Sequence, residues 1–247
     1  MDFTLPMVEK FVGIVLRTIK YSDNLMIADM YTQSHGRLSF LVPMSRSKRS
    51  KVRNVLFQPL SVISFSAPFK GVSSLVRLSE AQPYLMYSTL PYDVVKSAIA
   101  LYLAEFLAAV LREEGDSESL FDYICCSLEF LDKAEEGYSN FHILFLLRLT
   151  RFLGISPNVE EACEGSYFDL MAGAIVHEQP LHGQFLSQAD TMLFVKLLQM
   201  DLSSMHSMQL SRNARWEYLT LLHNYYRLHV PDFPEIKSID VLRELFS

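Results

Sequence analysis

The sequence predicts an α+β chain: a small five-stranded β-barrel over residues 1–84, then an all-helical part over residues 85–247. Three observations carry that expectation. Apolar residues recur with period two from Lys10 to about Tyr84, and with a helical period beyond Pro91. Pro83 and Pro91 bracket the change. Charge divides at the same place. Residues 1–85 hold eleven Lys and Arg against five Asp and Glu, a net +6, whereas the remainder holds eleven against twenty-three, a net −12. A split of that size marks a polyanion-binding module joined to something of different purpose.

The strands follow in order. Phe11–Thr18 and Leu25–Thr32 alternate apolar and polar residues, and Ser34-His35-Gly36 supplies a turn with a glycine for positive φ. Arg37–Val42 returns as the hairpin partner, and Phe57–Phe65 and Ser73–Ala81 are two further β-like stretches. Five short strands in this length suit a small closed barrel of the OB-fold type. An SH3-like barrel has the same periodicity, which does not separate the two. Phe40, Phe57, Phe65 and Phe69 could stack on bases, but alternation places most of them in the core.

Beyond the junction, Pro91 suits the first turn of a helix running from Asp93 to Glu114, apolar on most sides. Asp116-Ser117-Glu118-Ser119 starts a second helix that ends near Gly137. A third, Asn140–Leu153, closes on Gly154 and Pro157, a capping glycine followed by a helix breaker. Residues 155–186 read as irregular. Two more helices cover Ser187–Asp201 and Arg212–His229, and a short tail helix begins at Ser238.

Composition narrows the function classes. With 50% hydrophobic and 20% charged residues the chain reads as ordered throughout. The longest apolar stretch, roughly Ala98–Leu111, is interrupted by Glu105 and too short to span a bilayer. Met1–Pro6 has neither a basic start nor an apolar core, so a cytoplasmic protein is expected. Cys125, Cys126 and Cys163 show no metal or disulfide spacing and are expected as buried or neutral thiols. The signatures of nucleotide-binding loops, serine hydrolases and zinc proteases are all absent from the sequence, and no catalytic residue or cofactor is assigned.

The positive charge is concentrated in Met44–Arg53. Arg46, Lys48, Arg49, Lys51 and Arg53 place five cations in eight positions with serines between them. Lys and Arg neutralise phosphates and release counterions, while serine hydroxyls hydrogen-bond phosphate oxygens. The segment joins two β-stretches and would project from one barrel face, where OB-folds receive single strands. Arg17, Lys20 and Arg37 lie on neighbouring strands and complete the candidate DNA-binding set.

The order of segments resembles the bacterial RecO family of recombination and repair proteins. Gly13–Thr18 followed by Tyr21-Ser22-Asp23 is similar to that family's opening strand and first turn. Tyr31–Leu38 is similar to its hairpin with a Thr-x-x-x-Gly pattern, and the basic run followed by Leu56–Leu60 matches its basic loop and next strand. Leu146–Leu149 with Phe152–Pro157, then Tyr225–His229 and Ile236-Lys237-Ser238, resemble its later helices. The resemblance implies an OB-fold followed by a helical domain, and binding and annealing of single- and double-stranded DNA at the nucleoid. It also implies a mediator role with RecR in loading RecA onto strands coated by single-stranded-DNA-binding protein (SSB), whose acidic, apolar tail docks on the helical domain. Such a tail needs a cation beside apolar surface. Arg148 and Arg151, on adjacent turns beside Leu147 and Phe152, are the leading candidates.

One departure from the family stands out. Many relatives carry a four-cysteine zinc module after the position of Pro157. Here Val159–Gln184 retains only Cys163, although Tyr167–Leu170 and Gly173 still resemble the module's hairpin. Structural zinc takes four nitrogen or sulfur ligands. Cys163, His177 and His182 supply at most three, so a metal-free remnant packed on Phe168, Leu170, Ile175 and Leu181 is expected. Two readings rival a DNA-binding mediator: an adaptor whose basic barrel takes an acidic protein, and a hydrolase with a carboxylate cluster formed only in the fold.

Overall fold

A computed structural model describes residues 8–44, 55–68, 75–111, 118–202, 204–205 and 210–245. By packing, the chain divides into two compact units, residues 1–133 with 236–242, and residues 134–235 with 243–247.

The first unit begins as the expected antiparallel meander of β1 (Val8–Lys20), β2 (Leu25–Thr32) and β3 (Gly36–Pro43). The turn between β2 and β3 explains the Thr-x-x-x-Gly pattern. Thr32 Oγ1 donates to the Gly36 carbonyl at 2.8 Å and accepts from the His35 amide at 3.2 Å, while Gly36 takes φ +64°, a left-handed value that favours glycine. On the other side of β1 lies β4 (Val62–Pro68), antiparallel to it. The expected fourth strand therefore starts five residues late, because Leu60 is left-handed (φ +60°) and buried, and residues 57–61 form turns against Val15.

The fifth expected strand is two. β5 (Val76–Arg77) runs parallel to β3, and β6 (Ser79–Pro83) runs antiparallel to β4. Between them the Leu78 amide donates to the Leu41 carbonyl, Glu80 is left-handed, and the register to β4 shifts between Ser64 and Ser66. The sheet order is β5-β3-β2-β1-β4-β6, so its two edge strands are consecutive in the chain and the curled sheet meets itself through Leu78. This is the OB-fold arrangement with its last strand broken, six strands instead of five. The interior is filled by Phe11, Met30, Phe40, Phe57 and Phe65, with Phe11 and Phe65 stacked at 5.4 Å and Phe40 edge-on to Phe65 at 4.7 Å. Phe40, Phe57 and Phe65 are core residues, as alternation led us to expect of most of the four; Phe69 lies outside the described residues.

Helices α1 (Val94–Val110) and α2 (Glu118–Lys133) belong to the same unit. Pro91 is not in the first turn of α1. It precedes the N-cap Asp93, whose carboxylate accepts from the Val95 and Lys96 amides at 2.9 Å each, because the turn at Thr89 must close first. That turn is held by Asp132 at the end of α2. Its carboxylate accepts from the amides of Ser88, Thr89 and Leu90 at 2.7–3.0 Å and from the Ser88 hydroxyl at 2.9 Å. Buried Lys96 donates to Thr89 Oγ1 at 2.7 Å and to the Asp132 carbonyl at 2.9 Å. Burial alone would raise the Asp132 pKa, but these donors outweigh it and hold it at about 2. Glu105 of α1 accepts from the amides of Lys237 and Ser238 at 3.0 and 2.8 Å, which gives the Ile236-Lys237-Ser238 segment its structural role.

The second unit is built on α3 (Phe141–Phe152), buried along most of its length. Gly154 follows at φ +70°, and the Ile155 amide returns to the Thr150 carbonyl at 3.0 Å, closing the helix as expected. α4 (Gln188–Gln199) and α5 (Arg212–His229) are capped by Ser187 and Ser211; α6 (Ile239–Leu245) follows them in the chain, and its residues up to Leu242 belong to the first unit. Tyr225 and Tyr226 of α5 donate to the Ile155 and Leu146 carbonyls at 2.9 and 2.8 Å. Residues 155–186 are not all irregular. They contain a three-stranded sheet of β7 (Tyr167–Asp169), β8 (Ala174–Val176) and β9 (Phe185–Leu186), strands too short to show a period. The β7–β8 hairpin turns at Gly173 (φ +65°), where a side chain would meet the Tyr225 hydroxyl at 2.9 Å.

Candidate nucleic-acid interface

β1 is longer than the barrel needs. Its residues from Arg17 to Lys20 are exposed and pair with Asp29–Met26 of β2, forming an arm that ends in the turn Tyr21–Asn24. The Asn24 carbonyl accepts from the Met44 amide at 2.7 Å, so the chain enters the basic run beside this turn. Arg46, Lys48, Arg49, Lys51 and Arg53 themselves lie outside the described residues.

The three remaining barrel candidates are placed differently from one another. Lys20 is exposed and makes a surface pair with Asp23 at 3.2 Å, a weak and salt-screened contact. Arg17 Nε is 2.5 Å from Asp29 Oδ2, with its side chain about half exposed (55%). Arg37 is turned inward, its side chain only 18% exposed. It reaches the same Asp29 oxygen at 3.3 Å and donates to the carbonyls of Ala108 and Leu111 at 2.8 and 3.0 Å. Ser39 completes the cluster, donating to Asp29 Oδ1 at 2.5 Å. Burial raises the Asp29 pKa, but the hydrogen bonds from Ser39 and Arg17 and the two guanidinium charges outweigh it, and the carboxyl is held below its usual range. Asp29 thus sits ionised between two arginines. Arg77, exposed on β5 opposite Leu41, was not singled out by sequence; its strand is too short to signal its placement.

In the second unit, Arg148 is half-buried and Arg151 is exposed. The Arg148 guanidinium donates to the Met200 carbonyl at 3.0 Å, and its Nε is buried without a partner among the described residues. Arg151 is exposed next to Phe152, itself 38% exposed.

The three zinc candidates do not converge. Cys163 Sγ lies 3.9 Å from His177 Nδ1, but His182 pairs with Asp169 at 3.2 Å and accepts from the Gln184 amide at 3.2 Å. Among the described residues no group of three or more His, Cys, Asp or Glu side chains is gathered to hold a metal ion. The remnant packs on Phe168 and Leu170 as expected, but Leu181 is fully exposed. Cys126 and Cys163 are exposed and not buried; Cys125 is half-buried and burial pushes its thiol up to about 12. Among the described residues no helix is long and apolar enough to cross a membrane.

Comparison with known proteins covers both parts of the chain. The family models described as "Recombination protein O N terminal" and "Recombination protein O C terminal" match residues 7–87 and 91–238. Among curated relatives, "DNA repair protein RecO" of Phocaeicola vulgatus is 47% identical over 241 residues, 98% of this chain and 100% of the relative. The protein of that name from Bacteroides fragilis is 44% identical over 242 residues, with the same coverage. That from Flavobacterium psychrophilum is 31% identical over 237 residues, 95% of this chain and 98% of the relative.

Proposed function

The chain belongs to the Recombination protein O (RecO) family, and on that footing we propose that it is a DNA-binding recombination mediator in DNA repair. It anneals strands and, with RecR, helps load RecA onto single-stranded DNA coated by SSB. The barrel, residues 1–84, is the DNA-binding domain, and residues 85–247 receive protein partners. No covalent step is assigned to it.

The observation that carries this reading is the end of the barrel at Tyr21–Asn24. The exposed arm bearing Arg17 and Lys20 closes there, and Met44 is tied to it where the five-cation run begins. Arg17, Lys20 and the run from Arg46 to Arg53 contact phosphates on this reading, and Arg37 acts through Asp29 by holding the arm's partner strand. In the acidic part, the SSB tail seats its carboxylate at Arg151 beside Phe152, with Arg148 shaping the surface from within.

The test is titration of labelled single- and double-stranded oligonucleotides at several salt concentrations. Phosphate contacts give a linear fall of log affinity with log salt. Flat salt dependence, or no binding at low salt, refutes it and turns the reading to an adaptor for an acidic protein.

A further inference from the structure

An apolar pocket of about 170 Å³ opens on the surface of the first unit, where the turns at residues 57–61 meet the start of α1. Pro59, Tyr87, Leu90, Pro91, Ala100 and Leu101 form most of its wall, and no charged side chain lines it. The Tyr87 hydroxyl is spent on the Leu60 carbonyl at 2.9 Å, so the ring is what remains for the wall. Its frame is fixed before anything binds. The Leu90 amide is held by Asp132 at 2.7 Å, and the Ser61 carbonyl accepts from Val15 at 2.9 Å. Leu101 is 42% exposed at the mouth, and Tyr92 and Val94, close in the chain to Pro91, are exposed as well. Exposed apolar surface around a preformed pocket marks a place where something binds. An apolar cavity of about 150 Å³ takes up a molecule the size of benzene, so this one has room for one aliphatic side chain.

The second unit displays such a side chain. Leu181, expected in the core of the zinc-module remnant, is the most exposed large apolar residue among the described residues. Its loop is nevertheless braced next to it. His182 pairs with Asp169 at 3.2 Å, the Gln184 amide donates to His182 at 3.2 Å, and Asn224 of α5 donates to the Gln184 side chain at 2.5 Å. The other carboxylate oxygen of Asp169 accepts from the Met171 and Ala172 amides at 2.8 and 3.1 Å, and Met171 is also exposed. A leucine held out on a braced loop loses little freedom when it is covered, which is what makes an anchor residue effective.

We infer that Leu181 of one copy of this chain seats in the pocket at Leu101 of the next, and that this head-to-tail contact makes binding along a DNA strand cooperative. An uncharged wall suits neither phosphate nor an acidic tail, and a second copy supplies an uncharged apolar knob. Knob and pocket are different surfaces, so the contact is heterologous and leaves a free knob and a free pocket at the ends of every row. Covering one leucine is worth about tenfold in association, too little for a stable dimer in dilute solution. Copies bound side by side on one strand meet at an effective concentration in the millimolar range, where that gain counts. The inference rests on the DNA-binding reading and adds how neighbouring copies engage.

The experiment uses the full chain with oligo-dT strands of about 15 and about 60 nucleotides, for one copy and for several. On the long strand, wild type should bind a second copy about tenfold more readily than the first, and Leu181→Asp and Leu101→Glu should each remove that gain. Both variants should bind the short strand as wild type does, which shows that they fold. An equal mixture of the two should recover part of the gain, since Leu181→Asp keeps its pocket and Leu101→Glu its knob. Leu181→Ala is the second probe should a charged variant not fold, and should lower the gain in the same way. Wild type that fills the long strand without cooperativity overturns the contact. So does a gain that survives in either charged variant, or a mixture of folded variants that recovers nothing. Wild type that binds neither strand refutes the DNA-binding reading instead. Sedimentation equilibrium of the free protein near millimolar concentration then decides the contact, supported by association that Leu181→Asp abolishes and overturned by a monomer.

Discussion

The Arg37 guanidinium lies across the end of α1, with Nη1 2.8 Å from the Ala108 carbonyl oxygen, and so joins β3 to a helix 71 residues away in sequence. Helix carbonyls in the last turn have no partner of their own and carry partial negative charge, which a guanidinium satisfies with several donors at once. Arg37→Ala should therefore destabilise the protein by on the order of 2–4 kcal/mol, read as a lower urea midpoint. Arg17→Ala, which loses one half-exposed pair, should cost less than about 1 kcal/mol and act mainly on DNA affinity. Equal destabilisation by both would contradict the separate places given to the two arginines.

Replacing Arg46, Lys48, Arg49, Lys51 and Arg53 together by serine should leave the melting temperature unchanged, since the core of the barrel is built from apolar side chains such as Phe11, Phe40 and Phe65. For single-stranded DNA, each phosphate contact removed lowers the slope of log affinity against log salt by about 0.7. A slope equal to that of wild type would show that the run makes no phosphate contact.

In the second unit, Arg148→Ala should lower stability, because it strips the Met200 carbonyl of its donor. Arg151→Glu should leave stability unchanged, for its side chain is at the surface, and should abolish binding of an SSB tail peptide in fluorescence anisotropy. Unchanged peptide affinity in Arg151→Glu would place the tail elsewhere.

The barrel was legible because its signals are local. Alternation over β1 to β3 sorts core from surface, and Thr32 and Gly36 write their turn into the chain. The break at Leu78 and the irregular register of β6 were not legible, since the left-handed residue there is Glu80 and no glycine announces it. Nor was the division of labour among the basic residues. Arg17 and Arg37 read alike in sequence, and only the fold brings Ala108 to one and solvent to the other. Asp132 gave no signal at all, because the partners of its carboxylate are more than forty residues away.

The remnant of the zinc module should be indifferent to metal. His182 is held by Asp169 and Gln184, and Cys163 lies beside His177, with no group of three metal-ligating side chains among the described residues. Metal chelation should leave the melting temperature of the purified protein unchanged, and Cys163→Ser should do the same. A drop in melting temperature on chelation that zinc restores would mean these side chains gather around an ion.

Stability should fall in two stages as the solution is acidified. His142 in α3 is fully buried, and burial first, then the nearby positive charges of Arg215 and His223, lower its pKa from 6.5 to about 3. A histidine that resists protonation when folded gains a proton on unfolding. Its contribution is present above about pH 6.5 and is lost as pH falls towards 3, at up to about 1.4 kcal/mol per pH unit. Asp132 acts later. Its folded pKa of about 2 lies below the usual aspartate value of 3.8, so its contribution of about 2 kcal/mol is intact above pH 4 and is lost between 4 and 2. Urea midpoints measured across pH should decline gently from 6.5 to 4 and steeply below. His142→Leu should flatten the upper stage and leave the lower one, whereas Asp132→Asn should lower stability at neutral pH and shorten the lower stage. An upper stage that persists in His142→Leu would assign it to another group.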